Sequence, residues 1–233
     1  MRAIDKVHEL RKSIHIRSSA PRRAYMNRIR RPKKILKIIE EKNPATSILY
    51  EARRAYVVSL ACAFEIFWRE LVKSSIDDAN IDQTKLQGLE SIKMSMRELA
   101  GVFRHNMTLG ELISCSFSFQ GVEQVNKAIS VLLGIDAFSE YRTYKFQFYT
   151  VDSETKDFVA LVPTCFGPEA LKRSKFINQC FEIRHDSVHN TGTRFRVKPD
   201  LIHRMEDALW LFNLTFGIFA EKKFTELITK SYT

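Results

Sequence analysis

Between positions 46 and 75, apolar residues recur every three to four positions and predict one long helix. The stripe consists of Leu49, Ala52, Tyr56, Leu60, Ala63, Phe67 and Leu71. The opposite side also carries apolar residues, namely Val57, Val58, Cys62, Ile66 and Trp68. Such a helix is typical of the centre of a bundle, so the pattern favours an all-α fold. Thr46 or Ser47 is the expected N-cap.

Two further helices follow from the same periodicity. The final helix is expected to open at Pro199 and Asp200, and its stripe is Ile202, Met205, Leu209, Phe212, Phe216 and Phe219. Another helix is expected from Pro168 to about Asn190, with Gly192 as its stop. Residues 82–135 are interpreted as shorter helices separated by Gly101, Gly110 and Gly121.

One interval departs from the helical pattern. Tyr144, Phe146 and Phe148 alternate with polar residues, and a polar stretch separates them from the apolar run 158–162. This pattern predicts a small β-hairpin insertion within residues 141–165.

The surplus of positive charge lies at the N-terminus. Residues 1–42 hold 14 Lys and Arg against 4 Asp and Glu, a surplus of 10, which equals the +10 of the whole chain. We interpret this segment as a basic arm that precedes a domain of residues 43–233, with Asn43-Pro44 at the boundary. Pro21 and Pro32 predict two short helices with a break.

A polyanion such as RNA suits this arm, because neutralising phosphates releases counterions. The residues that we expect to contact RNA are Arg22, Arg23, Arg28, Arg30, Arg31, Lys33 and Lys34. Two other readings stay open: a solvated basic face, or a surface that docks on an acidic protein partner.

The cysteine spacing, the residues after Met1 and the longest apolar stretch limit which ligands and which cellular compartment are expected. Cys62, Cys115, Cys165 and Cys180 are far apart with no CxxC pair, which disfavours a zinc site or a disulfide framework. Charged residues directly follow Met1, so we expect a cytoplasmic protein. The apolar stretch 208–220 is too short to cross a bilayer, and we interpret it as core or dimer surface.

The segment 181–192 holds the candidate chemistry, with Arg184, His185, His189 and Asn190 close together. Arg184 falls on the apolar side of its helix, and a buried guanidinium needs an anion. That anion is either Glu65 or Glu182 in a structural pair, or a bound phosphate. Glu65 in turn has two candidate partners, Arg69 one turn later or a basic site on a neighbouring helix.

His185 and His189 are four residues apart, so both imidazoles project from one side of the helix. Histidine suits proton transfer at neutral pH. The spacing also suits a metal, but no third ligand is evident, so we expect neither a metal nor another cofactor. A lone histidine here would more often be a helix-end or surface residue.

Arg184-x4-His189, with a polar residue after the arginine, resembles the Rx4-6H motif of ribonucleases of the HEPN superfamily. The segment 61–71 with Glu65 resembles the first core helix of that family. Residues 131–135 and 188–190 resemble the RiboL-PSP or MAE-like HEPN branch. The resemblance covers roughly residues 48–219 and leaves out the basic arm.

The resemblance implies a HEPN-type helical bundle and a metal-independent endoribonuclease. In such an enzyme His189 would exchange protons and Arg184 would stabilise charge on the phosphate, leaving a 2′,3′-cyclic phosphate end. His185, Asn190 and Glu65 would be supporting residues. The resemblance also implies a toxin or anti-phage defence effector, with an antitoxin or other regulatory protein as a partner.

One difficulty is that Arg184 and His189 are about 140° apart on an ideal helix. A long side chain or fraying at Asn190 could close this gap. The resemblance implies a further answer, a homodimer with a composite active site, and the last helix would supply apolar surface for it. Two other functions remain: a non-catalytic module that binds nucleic acid or nucleotide, and a protein-interaction module.

Overall fold

The computed structural model describes residues 3–78, 86, 107–146, 149–151, 158–160, 165–189 and 196–227, with only the backbone of 3–20 and of the strands. Within these ranges the chain forms seven α-helices and one pair of short strands. The helices are α1 (Ala3–Glu41), α2 (Thr46–Ile76), α3 (Leu109–Ser116), α4 (Val122–Leu133), α5 (Ala137–Thr143), α6 (Gly167–His189) and α7 (Pro199–Glu226). The expected all-α architecture is confirmed.

The strands are β1 (Tyr149–Val151) and β2 (Phe158–Ala160), which pair antiparallel with Tyr149 opposite Ala160 and Val151 opposite Phe158. The residues between them lie outside the described part of the chain. That this pair is an insertion into a HEPN-type bundle stays a prediction.

The expected break in the N-terminal arm is wrong, because α1 is one helix that contains both Pro21 and Pro32. Each proline removes one backbone hydrogen bond, but packing along α2 outweighs that loss. Pro21, Tyr25 and Leu36 are buried, and the Tyr25 ring meets the Phe67 ring edge-on at 6.3 Å. The C-terminal half of α1 is therefore part of the core. The division of the chain at residue 42 remains a prediction.

Helix α2 has the predicted extent, but its predicted cap is wrong. Ala45 occupies the N-cap position without a side-chain hydrogen bond, so Thr46 is already the first helical residue. The expectation that Gly110 separates two helices is also wrong, since this glycine lies inside α3. Its N–H donates to Asp77 Oδ1 at 2.7 Å, and a Cβ there would lie 2.4 Å from the carbonyl oxygen of Lys73. The glycine thus allows α3 to approach α2, while Gly121 does separate α3 from α4.

The core lies where α2, α6 and α7 pack against one another. Trp68 of α2 lies 5.7 Å from the Phe212 ring and 5.4 Å from the Phe216 ring, and its Nε1 donates to Asn213 Oδ1 at 3.0 Å. Every residue of the predicted α7 stripe is buried. The stripe is therefore core, which was one of the two interpretations of the stretch 208–220; that α7 contributes to a dimer stays a prediction. Trp210 is the large exposed apolar residue of α7 among the described residues.

Across the described ranges, none of the helices is both long and apolar enough to span a bilayer.

Candidate active site

Helix α6 ends in the segment that the sequence singled out. Its buried face, with Ile177, Cys180 and Ile183, packs toward the core. The opposite side borders an open groove of about 680 Å³. The described residues that line it are Gln120, Asn178, Phe181, Glu182, Arg184, His185, Asp186, Val188 and His189.

Glu65 of α2 is the anion that pairs with Arg184. Arg184 Nη1 donates to Glu65 Oε1 at 2.5 Å, and the two side chains are 26% and 16% exposed. Burial alone would lower the pKa of Arg184, but the hydrogen bond and charge of Glu65 raise it above its ordinary value. Glu65 therefore pairs with a basic residue on a neighbouring helix. This is one of the two partners that the sequence left open for it. Arg69, the other candidate, is exposed, and Glu182 lines the groove.

Pairing with Glu65 leaves Arg184 with further donors. A guanidinium carries five N–H groups in a planar fork, and Glu65 occupies Nη1. Because the Arg184 side chain also lines the groove, it is accessible there to a second anion. The structure thus shows the structural pair with Glu65, and a bound phosphate at Arg184 stays a prediction.

His185 and His189 lie side by side on the rim of this groove. Their ring centroids are 4.6 Å apart with an interplanar angle of 45°, and both residues are exposed. The i, i+4 spacing produces this arrangement on one side of α6, as predicted. Two accessible imidazoles can exchange protons with a ligand in the groove.

The groove brings Arg184 and His189 to one surface despite their angular separation on α6. The groove extends along α6 and is lined by both side chains, together with His185 between them in sequence. Asn190, the remaining residue of the predicted site, lies outside the described residues.

Sequence reasoning missed Arg54, which contacts the same segment from α2. Arg54 Nε donates to Ser187 Oγ at 2.6 Å, and Nη2 donates to the Asp186 carbonyl at 3.2 Å. Its side chain is 12% exposed. The available signal was its spacing of 11 residues from Glu65, which places both residues on one face of α2, about 20° apart.

Two amide side chains of the groove were missed as well. Asn178 lies two turns before His185 on α6, and Gln120 lies in the connection between α3 and α4. Neither belongs to a recognisable motif, so no local signal marked them.

The basic arm residues are exposed along α1, but the described lining of the groove includes none of them. Lys33 is engaged elsewhere: its Nζ lies 2.9 Å from Glu206 Oε1 of α7. Tyr56 of α2 donates a hydrogen bond to the same carboxylate, so Glu206 joins three helices. The arm and the groove are thus separate features of the described chain.

The described residues contain no group of three or more His, Cys, Asp and Glu side chains arranged to hold a metal.

Comparison with protein-family models, curated proteins and solved structures finds no match for this chain.

Proposed function

We propose that this chain is a metal-independent endoribonuclease of the HEPN type, with Arg184 and His189 as its catalytic residues. The observation that carries the proposal is the shared groove. Arg184, held by Glu65, and the exposed His185–His189 pair all line it. The motif resemblance supplies the reaction class, and the groove supplies a surface on which one phosphodiester could contact both groups.

In the proposed reaction the ribose 2′-oxygen attacks the adjacent phosphorus. The O2′–P bond forms while the P–O5′ bond breaks, the 2′-hydroxyl loses its proton and the departing 5′-oxygen gains one. His189 exchanges protons with these oxygens, and the Arg184 fork donates hydrogen bonds to the non-bridging oxygens as charge builds on them. The products are a 2′,3′-cyclic phosphate and a 5′-hydroxyl.

The supporting residues have separate tasks in this proposal. Glu65 orients Arg184 through the 2.5 Å hydrogen bond and keeps it charged. His185, 4.6 Å from His189 between ring centroids, is near enough to modulate its proton transfer. Asn190 is proposed as a further supporting residue on the basis of the motif alone.

The groove carries carboxylates that oppose phosphate binding. Glu182 and Asp186 line it together with Arg184. Apart from the two imidazoles, the described lining has two carboxylates against one guanidinium, so a phosphate needs further positive charge. This balance favours the basic arm as an additional contact that holds the rest of the RNA.

A homodimer with a composite site is part of the proposal. Val188, 64% exposed on the groove, is an apolar residue that a second copy could cover. Contact there would place the His189 segments of two chains near one another. As a toxin or anti-phage effector, such an enzyme would be restrained by an antitoxin or another regulatory protein.

A second candidate function is a non-catalytic module that binds nucleic acid, a nucleotide or a protein. The observation in its favour is that Glu65 already satisfies Arg184, so the pair has a structural explanation without a phosphate. This module would bind RNA in a salt-dependent manner and leave the strand intact.

The test incubates purified protein with end-labelled RNA in excess chelator. Wild-type protein should produce fragments with 2′,3′-cyclic phosphate ends, whereas Arg184→Ala and His189→Ala should not. RNA methylated on its 2′-oxygens should resist cleavage, because the nucleophile is blocked.

The matched control is Arg173→Ala, which removes an arginine of the same helix from its ion pair with Glu169 at 2.6 Å. This variant should cleave as wild type does. Cleavage that survives both Arg184→Ala and His189→Ala would refute the mechanism, and binding without scission would support the non-catalytic module.

A further inference from the structure

Helix α2 contacts the C-terminal half of α6 at two polar points. Glu65 contacts Arg184, and Arg54 contacts Ser187 and the Asp186 carbonyl. The order of the contacts is reversed between the helices, as in an antiparallel crossing. Next to Glu65, Phe64 adds an apolar contact with Phe181 of α6, whose ring centroid is 5.7 Å away.

Arg54 contacts the last described turn of α6. An α-helix carries partial negative charge towards its C-terminal end. Asp186 lies three residues before His189, the last described residue of α6. The Nη2 group of Arg54 donates to the Asp186 carbonyl, so a partly buried cation lies near the negative end of the helix dipole.

Ser187 fixes the direction of this contact. Its hydroxyl donates to the Ile183 carbonyl at 2.5 Å and accepts from Arg54 Nε at 2.6 Å. One hydroxyl proton and one lone pair are thus both used in defined directions. Among the described residues, Glu51 also approaches Arg54, but its Oε1 is 3.8 Å from Arg54 Nη1 and its side chain is 66% exposed. The short contacts of Arg54 are those with α6.

We propose that Arg54 is a positioning residue for the imidazole pair. It contacts residues 186 and 187, which lie between His185 and His189, and so fixes the turn from which both rings project. This inference rests on the proposed function for its effect on catalysis, but the positioning itself can be measured without RNA.

The decisive comparison is between Arg54→Met and Arg53→Met. Arg53 is the adjacent arginine, 13% exposed against 12% for Arg54, but its Nε contacts Glu40 of α1 at 3.0 Å. Hydrogen exchange of the amides of residues 183–189 should accelerate about tenfold or more in Arg54→Met, since this segment loses the hydrogen bonds that Arg54 donates to it. Arg53→Met should leave these amides unchanged. Equal exchange in both variants would overturn the inference.

Ser187→Ala keeps the test valid if Arg54→Met fails to fold. This variant removes the acceptor of Arg54 Nε and retains the guanidinium. The same amides should exchange faster, and the imidazole NMR resonances of His185 and His189 should shift. Unchanged exchange and unchanged resonances would contradict the positioning role.

On RNA, Arg54→Met should lower kcat about 10- to 100-fold, with KM nearly constant, because misplaced catalytic groups cost rate more than binding. Arg54→Lys, which retains one donor, should recover part of kcat. A rise in KM alone would overturn the inference. If wild-type protein cleaves no RNA, the proposed function fails, and the exchange measurements still decide whether Arg54 positions the segment.

Discussion

Glu65 Oε1 lies 2.5 Å from Arg184 Nη1, so a carboxylate on α2 holds this arginine of α6 from across the bundle. The pair joins residues 119 positions apart in the chain. Arg184 also lines the groove, and the pair makes the charge and orientation of that arginine depend on the packing of α2 against α6.

Removing the carboxylate of Glu65 should affect both stability and the site. Glu65→Ala leaves a partly buried guanidinium without its partner, which should cost about 1–3 kcal/mol of unfolding free energy. Urea denaturation measures this loss. Glu169→Ala, which breaks the exposed pair with Arg173, should cost clearly less, because solvent screens that pair. Equal losses in the two variants would show that burial adds nothing to the Glu65 pair.

The two histidines should differ in their effect on cleavage. If His189 transfers protons, His189→Gln should lower kcat about 100-fold or more. His185→Gln should lower kcat less, because His185 acts through its neighbour. Single-turnover cleavage of one defined RNA measures both variants, with His203→Gln on α7 as the control. A larger loss for His185→Gln would reverse the proposed roles.

The basic arm should control the salt dependence of RNA binding. Deleting residues 1–42 is not a usable test, because Tyr25 and Leu36 belong to the core. Replacing the exposed Arg28, Arg31 and Lys34 with Gln removes charge while α1 stays in place. The slope of log K against log salt should become shallower by about 0.7 for each lost contact with a single strand.

The control for the arm is Lys33→Gln, since Lys33 is paired with Glu206. Lys33→Gln should change the slope of log K against log salt less than replacement of Arg28, Arg31 or Lys34 alone. An unchanged slope in the triple variant would exclude the arm as an RNA contact and favour an acidic protein partner.

Stability should fall at low pH through the contact between α2 and α3. The hydrogen bond from Lys73 Nζ, at 2.5 Å, and that from the Thr108 N–H lower the pKa of Glu111 below its ordinary value of 4.5. Because the folded pKa is the lower one, this contribution is complete above pH 4.5 and is lost as the pH falls through the folded value. Urea midpoints measured from pH 6 to pH 3 should therefore decline less steeply in Glu111→Gln than in wild type.

The same contact responds at high pH with the opposite sign. Glu111 raises the pKa of Lys73 above its ordinary value of 10.5. The contribution of Lys73 is complete below pH 10.5 and disappears as the pH rises through the raised value. Identical slopes for wild type and Glu111→Gln at both ends of the pH range would contradict this assignment.

Local sequence patterns predicted the helices well where one apolar face of the helix packs in the core. The stripes of α2 and α7 predicted both helices and most of their buried residues, because a 3.6-residue period indicates which side of a helix is buried; Leu49 and Ala52 of the α2 stripe are only partly buried. The i, i+4 spacing of His185 and His189 likewise predicted neighbouring rings. The prolines of α1 led to a wrong prediction of a break. The free-energy cost of the backbone hydrogen bonds that they remove is smaller than the stabilisation from packing α1 against α2.

The sequence by itself determined the helical architecture, the basic arm and the segment that holds Arg184, His185 and His189. The tertiary structure decided that Glu65 pairs with Arg184, that Arg54 contacts the Asp186 carbonyl and Ser187, and that the α7 stripe is used within one chain. The physical reason is that periodicity describes one helix at a time. Which charges meet across a bundle depends on how two helices cross, and the residues of either helix alone do not specify that crossing.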